Sequence, residues 1–448
     1  MERPFRPLRH AQGQMSMGKV KGLRWLVIAL IACATVINYI DRNALAVMWP
    51  AVSKDVGADK SDYALLVTVF MIAYAVGQSL FGKLIDRIGT KMGFVLSIAI
   101  WSISIGLHAF VRSLASLTFL RATLGVSEAG NWPGAVKANA LWFPPQERAF
   151  AQGIFNSGAA IGAIIAAPAV AALYGAFGWR TTFLLIGVLG FLWLVPWFWL
   201  YRGDPDRHPW LGDEERAHIA ARPAAADGVA DAAPAPGMLA LLRYRQSWAI
   251  LIARFFLDPV WWLFVSWLPI YLAETFGFDV KQIGMFGWVP FVGAMLGSLG
   301  GGWFSGKLIS QGWTALGARK LAIAIGCAIM LPALLLTARA SDPLTAVLLI
   351  AVILFGFQVA INNIQTMPGD YFAGGAVGSL AGISGTAAVA GTLITTWLVP
   401  VMTQHSYAPI FALAAAIVPL SLLAILLLGR GVPRTDGAPS IGNQQESA

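Results

Sequence analysis

Apolar runs of about 20 residues, separated by short polar connections, repeat along nearly the whole chain. A helix of that length crosses the hydrocarbon core of a bilayer. Inside a bilayer only a helix or a closed barrel pairs every backbone group, and unbroken apolar runs select the helix. The runs predict twelve spanning helices, near residues 25–48, 64–84, 92–111, 114–138, 150–174, 181–201, 248–272, 283–308, 321–337, 344–367, 377–402 and 408–428. The fold class is therefore an all-α polytopic membrane protein. An even number of spans puts both termini on one side.

The longest polar break is residues 202–246. Its centre, ARPAAADGVADAAPAPG, is rich in alanine and proline and builds no core. It reads as a linker, with a short amphipathic helix around 213–221. The expected organisation is a terminal segment 1–24, a six-helix bundle 25–201, the linker 202–246, a second six-helix bundle 247–429 and a disordered tail 430–448. The halves repeat weakly: FGKLIDRIGTK from Phe81 follows the second span, and SGKLISQGWTALGARK from Ser305 follows the eighth. Matching elements at matching places suggest two bundles from a duplication.

Composition agrees. Of 448 residues, 57% are hydrophobic and only 12% charged; soluble domains carry about 25% charged residues. The net charge of +9 sits in the connections: Arg3, Arg6, Arg9, Lys19, Lys21 and Arg24 at the start, Lys83, Arg87 and Lys91, then Arg202, Arg207, Arg216, Arg222, Arg243 and Arg245, then Lys307, Arg319 and Lys320. On the opposite side Asp55, Asp59 and Asp62 outnumber Lys54 and Lys60. Cations concentrate on the cytoplasmic side, so termini and linker are expected there. No basic helix with interleaved aromatics suggests nucleic-acid binding. Cys33 and Cys327 fall inside spans and read as packing residues. The basic start leads into a full-length span without a small-residue cleavage site, which reads as a retained helix. No metal-ligand cluster, phosphate loop or nucleophile elbow is present in the sequence. The expectation is a non-enzyme without metal or cofactor.

The informative residues are charges inside the spans. Arg121 and Glu128 are seven positions apart, nearly two turns, so they share one helix face. Each costs about 2.5–3.5 kcal/mol at mid-bilayer, which predicts partners or a wet path. Asp41 and Arg42 are neighbours in NYIDR, about 100° apart on the helix, so each seeks a partner elsewhere. A position at the interfacial end of the helix is the alternative. Arg42 and Arg121 offer the planar fork that matches a carboxylate, unless Arg121 is occupied by Glu128 or Asp41. Asp41 and Glu128 are candidate proton carriers. A carboxyl's protonation depends on its burial and on nearby cations. A site whose arginine is claimed by substrate therefore links substrate to proton. A structural ion pair is the competing reading.

Other candidates follow. Asn131 lies near the Glu128 face and suits a hydroxyl, while Gly130 and Pro133 distort the helix there. Asn156 is a ligand candidate beside Ser157, Gly158 and Gly162, whose glycines read as packing. Arg254 and Asp258 pair along a helix and read as a gate or a structural pair. Trp261, Trp262 and Trp267 offer ring faces to a sugar or to lipid. Asn362, Asn363 and Gln365 are costly in an apolar run unless they line a cavity; Ser384 and Thr386 are weaker candidates. In GKLIDRIGTK, Gly82, Asp86, Arg87, Gly89 and Lys91 read as a conformational lock, with Asp86 at the amino end of a neighbouring helix. The alternative is a solvated loop that sets topology.

The two-by-six layout with GKLIDRIGTK resembles the major facilitator superfamily. NYIDR, RATLGVSEAGNWPGAVKANALWFPPQERAFAQGIFNSGAAIGA, GWRTTFLLIGVLGFLWL and ARFFLDPVWWLFVSWLPIYL look like its anion:cation symporter branch, especially the hexuronate transporters. The likeness runs from Trp25 to Leu428. It implies proton-coupled import of a sugar-acid anion, glucuronate or galacturonate, by a monomer in a bacterial inner membrane. It implies proton-linked carboxylates at Asp41 and Glu128, a substrate-side arginine at Arg42, a charge-relay arginine at Arg121 and a substrate-contacting tyrosine at Tyr74. Three positions depart from related sugar-acid carriers: Ala159 stands for a glutamine, Gln365 for a tryptophan and Thr386 for an asparagine. These bear on which substrate is carried. An aldonate, aldarate or aromatic acid, or a non-transporting sensor, are the alternatives.

Overall fold

A computed structural model describes residues 19–220, 236–372 and 376–431. Most of the expected terminal segment, the centre of the linker and the expected tail lie outside the described residues.

The helices are α1 Leu23–Val56, α2 Lys60–Leu107, α3 Leu114–Glu128, α4 Asn131–Trp142, α5 Pro145–Leu200, α6 Asp213–Ala220, α7 Arg245–Phe276, α8 Val280–Phe286, α9 Val289–Ser310, α10 Ala315–Thr337, α11 Pro343–Tyr371, α12 Val377–Met402 and α13 Ala408–Leu428. Among the described residues, eight helices are long and apolar enough to cross a membrane. Two of them, α2 with 48 residues and α5 with 56, are each long enough for two crossings. Each is broken at one glycine, Gly89 (φ 82°) and Gly178 (φ 74°). That backbone is open to glycine and strained for other residues. The short connections expected from the sequence thus contract to single-glycine turns. The fourth span is divided at Ala129–Gly130 into α3 and α4, and the eighth at Gly287–Trp288 into α8 and α9. With these, the chain makes its twelve crossings.

Two apolar cores follow the two halves. One gathers Leu23, Ile31, Phe94, Trp101, Phe155 and Phe183; the other gathers Leu257, Phe264, Met330, Ile350 and Phe411. Tyr39, Ala159 and Ala160 of the first half join the second core, where the halves meet. Large apolar side chains such as Val195, Trp199, Trp397 and Val401 face outward, as lipid-facing residues do.

The linker begins as a polar clasp. Helix α6 has no fully buried residue; Ile219 packs against the first apolar core, and ion pairs add to the hold. Glu215 accepts hydrogen bonds from the backbone N–H groups of Gly22, Leu23 and Arg24, capping α1. Arg24 bridges Glu215 (2.7 Å) and Glu147 (2.8 Å), and Glu147 lies in the first turn of α5.

Near this end, small residues bring the halves together. Gly82 of α2 meets Gly378 and Gly382 of α12, and Gly302 and Gly306 of α9 meet Ala149 and Gln146 of α5. A Cβ at any of these glycines would strike backbone of the other half.

Candidate functional site

Asp41, Arg42, Arg121 and Glu128 are buried or nearly so in the first half. Arg42 Nε donates to Glu128 Oε2 at 2.8 Å, tying α1 to α3. Five aromatic rings surround the Arg42 guanidinium: Tyr74 at 4.5 Å, Tyr39 and Phe70 at 5.6 Å, Trp262 at 5.7 Å and Trp132 at 5.8 Å. Such faces attract a cation by about 0.5–2 kcal/mol each. Among the described residues, the two terminal nitrogens of Arg42 make no hydrogen bond with protein, and Nη2 is fully buried. Asp41 is fully buried and neither carboxyl oxygen has a hydrogen-bond partner. Arg121 is buried over the Phe70 ring at 5.7 Å and makes no ion pair among the described residues. The shared face of Arg121 and Glu128 therefore does not produce a pair, because Arg42 reaches Glu128 from another helix.

A cavity of about 560 Å³, including its open side, lies where the halves meet. The first half supplies Tyr39 and Arg42 from α1, Tyr74 and Gln78 from α2, Trp132 from α4, and Asn156 and Ala159 from α5. The second supplies Arg254, Asp258, Trp261 and Trp262 from α7, Phe357, Gln358, Ile361 and Gln365 from α11, and Gly385, Ala388 and Val389 from α12. Trp261 stacks on Phe357 at 5.8 Å and donates its indole N–H to Tyr39 Oη at 3.2 Å, linking the halves.

Of the residues singled out for substrate, Arg42, Tyr74, Asn156, Trp262 and Gln365 line this cavity. Asn131, Asn362 and Thr386 do not. Asn131 donates to Thr35 Oγ1 (2.9 Å), and Asn362 donates to Ser298 O (2.7 Å). Thr386 shares a hydrogen bond with Ser79 (2.7 Å) and donates to Ala75 O (2.6 Å). These contacts between helices are the other way to remove the cost of a polar group in an apolar run, although Asn131 Oδ1 stays buried without a hydrogen-bond partner among the described residues. Arg254 and Asp258, expected at a gate, stand in the cavity wall. Arg254 holds Asp258 through two hydrogen bonds (2.9 and 3.3 Å) and donates to Ser384 Oγ (3.1 Å). Sequence reasoning missed Gln78, Trp132 and Gln358. The spacing of Gln358, Asn362 and Gln365 was a usable signal, since residues four and seven apart share a face.

Away from the cavity, Asp86 accepts from the backbone N–H groups of Gly378 (3.1 Å) and Ser379 (2.6 Å) at the start of α12. It also pairs with Lys137 at 3.0 Å. Arg87 is exposed, and Lys91 lies over the Phe198 ring at 5.8 Å. Asp370 of α11 is held by Arg148 of the first half (3.0 Å) and Arg319 of the second (3.2 Å), and Arg319 also donates to Pro145 O (2.6 Å). Removing one member of a buried pair costs about 3–5 kcal/mol. Asp370→Ala is expected to open this end. In a background without Cys33 and Cys327, a cysteine at Ala140, which packs against Gly369, should then react faster with a maleimide; an unchanged rate would show that the pairs do not hold the closure.

The sequence profile of the Major Facilitator Superfamily matches residues 31–357. The chain belongs to the Major Facilitator Superfamily. It is 31% identical over 437 residues to the hexuronate transporter of Escherichia coli K12, covering 95% of this chain and 99% of that one. It is 32% identical over 318 residues to the galacturonate transporter of Dickeya chrysanthemi, covering 70% of this chain and 91% of that one. The crystal structure of the human organic anion transporter MFSD10 (TETRAN) superposes with a TM-score of 0.67 at 15% identity, covering 91% of this chain and all of that one. That likeness extends to the fold. Members of the superfamily are transporters, so this chain is a membrane transporter and not an enzyme. The cavity between its halves is the place such a fold offers a substrate.

Proposed function

We propose that this protein imports a sugar-acid anion, a hexuronate first of all, by proton symport. The observation that carries the reading is Arg42: a guanidinium in the cavity wall, held through Nε by Glu128, with its terminal nitrogens free of protein partners. A carboxylate takes the free edge of such a fork. Trp132, Trp261 and Trp262 line the cavity beside it and offer faces to a pyranose ring. The names of the similar bacterial transporters, hexuronate and galacturonate, support the same substrate class.

The coupling follows from competition for Arg42. Substrate and Glu128 both draw on one guanidinium, and Asp41 lies close enough to feel Arg42, Arg121 and Glu128. A substrate carboxylate on the free edge shares the Arg42 charge and adds a negative charge beside Glu128, so Glu128 favours a proton while substrate is bound and releases it when substrate leaves. In this reading the end closed by Asp86 and Asp370 is the cytoplasmic one, which the excess of Lys and Arg in its connections supports. The cavity then serves the outer side, and rocking of the halves about it gives alternating access. The inner membrane of a bacterium is the setting, with both termini inside.

A second reading is an aldarate, favoured by one similar protein, the probable galactarate/D-glucarate transporter of Escherichia coli K12, 30% identical over 355 residues. The deciding experiment is uptake of labelled glucuronate into proteoliposomes with and without an inward proton gradient, with galacturonate, galactonate, galactarate and an aromatic acid as competitors. Accumulation that collapses with a protonophore is expected. Binding without accumulation would make the protein a sensor, and strongest competition by galactarate would select the second reading.

A further inference from the structure

We infer that Gln78 and Gln358 form a hydroxyl-recognising pair, one from each half, that makes the cavity prefer polyhydroxylated carboxylates to hydroxyl-free ones. The inference rests on the sugar-acid reading and names the residues that enforce it.

Both side chains line the cavity, Gln78 from α2 and Gln358 from α11, and each is only 3% exposed. The Oε1 of each is buried without a hydrogen-bond partner, and neither amide nitrogen bonds to protein among the described residues. Buried amides are nearly always paired, so two cavity-wall residues that each keep an unmet amide oxygen call for an occupant. Several other polar groups around the cavity are already engaged with one another. Asn156 donates to Gln365 (2.8 Å), Gln152 donates to Gln365 (2.9 Å), and Arg254 is divided between Asp258 and Ser384. Among the described residues, spare capacity is left at Arg42, which suits an anion, and at the Tyr74 hydroxyl and the two glutamine amides, which suit neutral groups.

An amide both donates and accepts, and a hydroxyl does the same, so each carboxamide matches one or two hydroxyls of a sugar acid. A carboxylate only accepts and would leave Oε1 unmet. An aromatic ring offers neither. A site built to hydrogen-bond hydroxyls rejects an analogue that lacks them far more strongly than an apolar pocket discriminates by size. The backbone prepares the Gln78 amide for this task. It lies flat on α12 because residue 385 is glycine; a Cβ there would overlap the carboxamide.

The test is calorimetric titration of the purified full chain with glucuronate and with cyclohexanecarboxylate, a ring acid with no hydroxyl. Glucuronate should bind the wild type at least 100-fold more tightly, consistent with paired hydrogen-bond recognition. Gln78→Leu and Gln358→Leu should each lose roughly 10–100-fold for glucuronate, as expected for one or two buried hydrogen bonds. Cyclohexanecarboxylate affinity should hold or improve. Gly385→Ala, which keeps both amides but displaces that of Gln78, should narrow the preference in the same direction. Should the leucine variants fail to fold, Gln78→Asn and Gln358→Asn, which keep the amide but withdraw it by one methylene, carry the same expectation. An equal fall for both ligands, or an unchanged preference, would overturn the pair while leaving the sugar-acid reading intact. A wild type that binds cyclohexanecarboxylate as tightly as any sugar acid would overturn both.

Discussion

Arg42→Lys is expected to weaken binding of the acid anion by roughly 100-fold, the equivalent of about 2.7 kcal/mol. The wild-type side chain does two things at once. Its Nε edge holds Glu128 at 2.8 Å, and its terminal nitrogens are left for the substrate. A lysine ammonium is a single point with three donors; it serves one carboxylate well and the second poorly. Hydrogen bonds to charged groups are worth about 1.5–3 kcal/mol, so losing one bidentate contact accounts for the expected effect. The surrounding rings sharpen the loss, because a planar guanidinium stacks on aromatic faces and a compact ammonium does so less well. Net charge in the cluster is unchanged, so folding should be largely preserved. The check is calorimetric titration with glucuronate. Unchanged affinity would remove Arg42 from the substrate contact.

Glu128→Gln is expected to abolish proton-driven accumulation while leaving exchange of substrate across the membrane within a few-fold of wild type. Glu128 is fully buried, and its one ion-pair partner is Arg42. A glutamine keeps shape and keeps an oxygen to accept from Arg42 Nε, so the path for substrate persists. What it lacks is a titrating proton. With one proton per substrate, an inward gradient of one pH unit supports about tenfold accumulation, equivalent to 1.4 kcal/mol. In the variant the ratio should fall to about one under the same gradient. The measurement is paired uptake and counterflow in proteoliposomes. Loss of both in a properly inserted variant would give Glu128 a role in substrate binding or packing rather than in coupling.

Much of the architecture was legible because hydrophobicity is a local property. A run long enough to cross a bilayer must be helical whatever surrounds it. The charges stood out for the same reason: Asp41, Arg42, Arg121 and Glu128 are conspicuous against apolar neighbours, and all four are buried or nearly so. Their partners were not legible. A face on a helix specifies a direction, while a partner depends on which other helix lies there and at what depth. Glu128 therefore meets Arg42 and not Arg121, and Arg121 and Asp41 are left without hydrogen-bonded carboxylate or cation.

The same limit explains the polar side chains. Asn131, Asn362 and Thr386 looked like cavity residues, and neighbouring helices satisfy them instead. Arg254 and Asp258 looked remote from substrate and stand in its wall. Gln78 gave little sign of itself, since a single amide in an apolar run has no sequence mark that separates a cavity from a helix contact, and the face Gln358 shares with Gln365 gives a direction without saying what lies there. The sequence by itself determined the twelve crossings and the presence of a charged interior, because both follow from the free energy of single residues in hydrocarbon. Only the tertiary structure decided which polar groups are consumed by packing and which are left facing open space, because that depends on the relative placement of helices far apart in the chain.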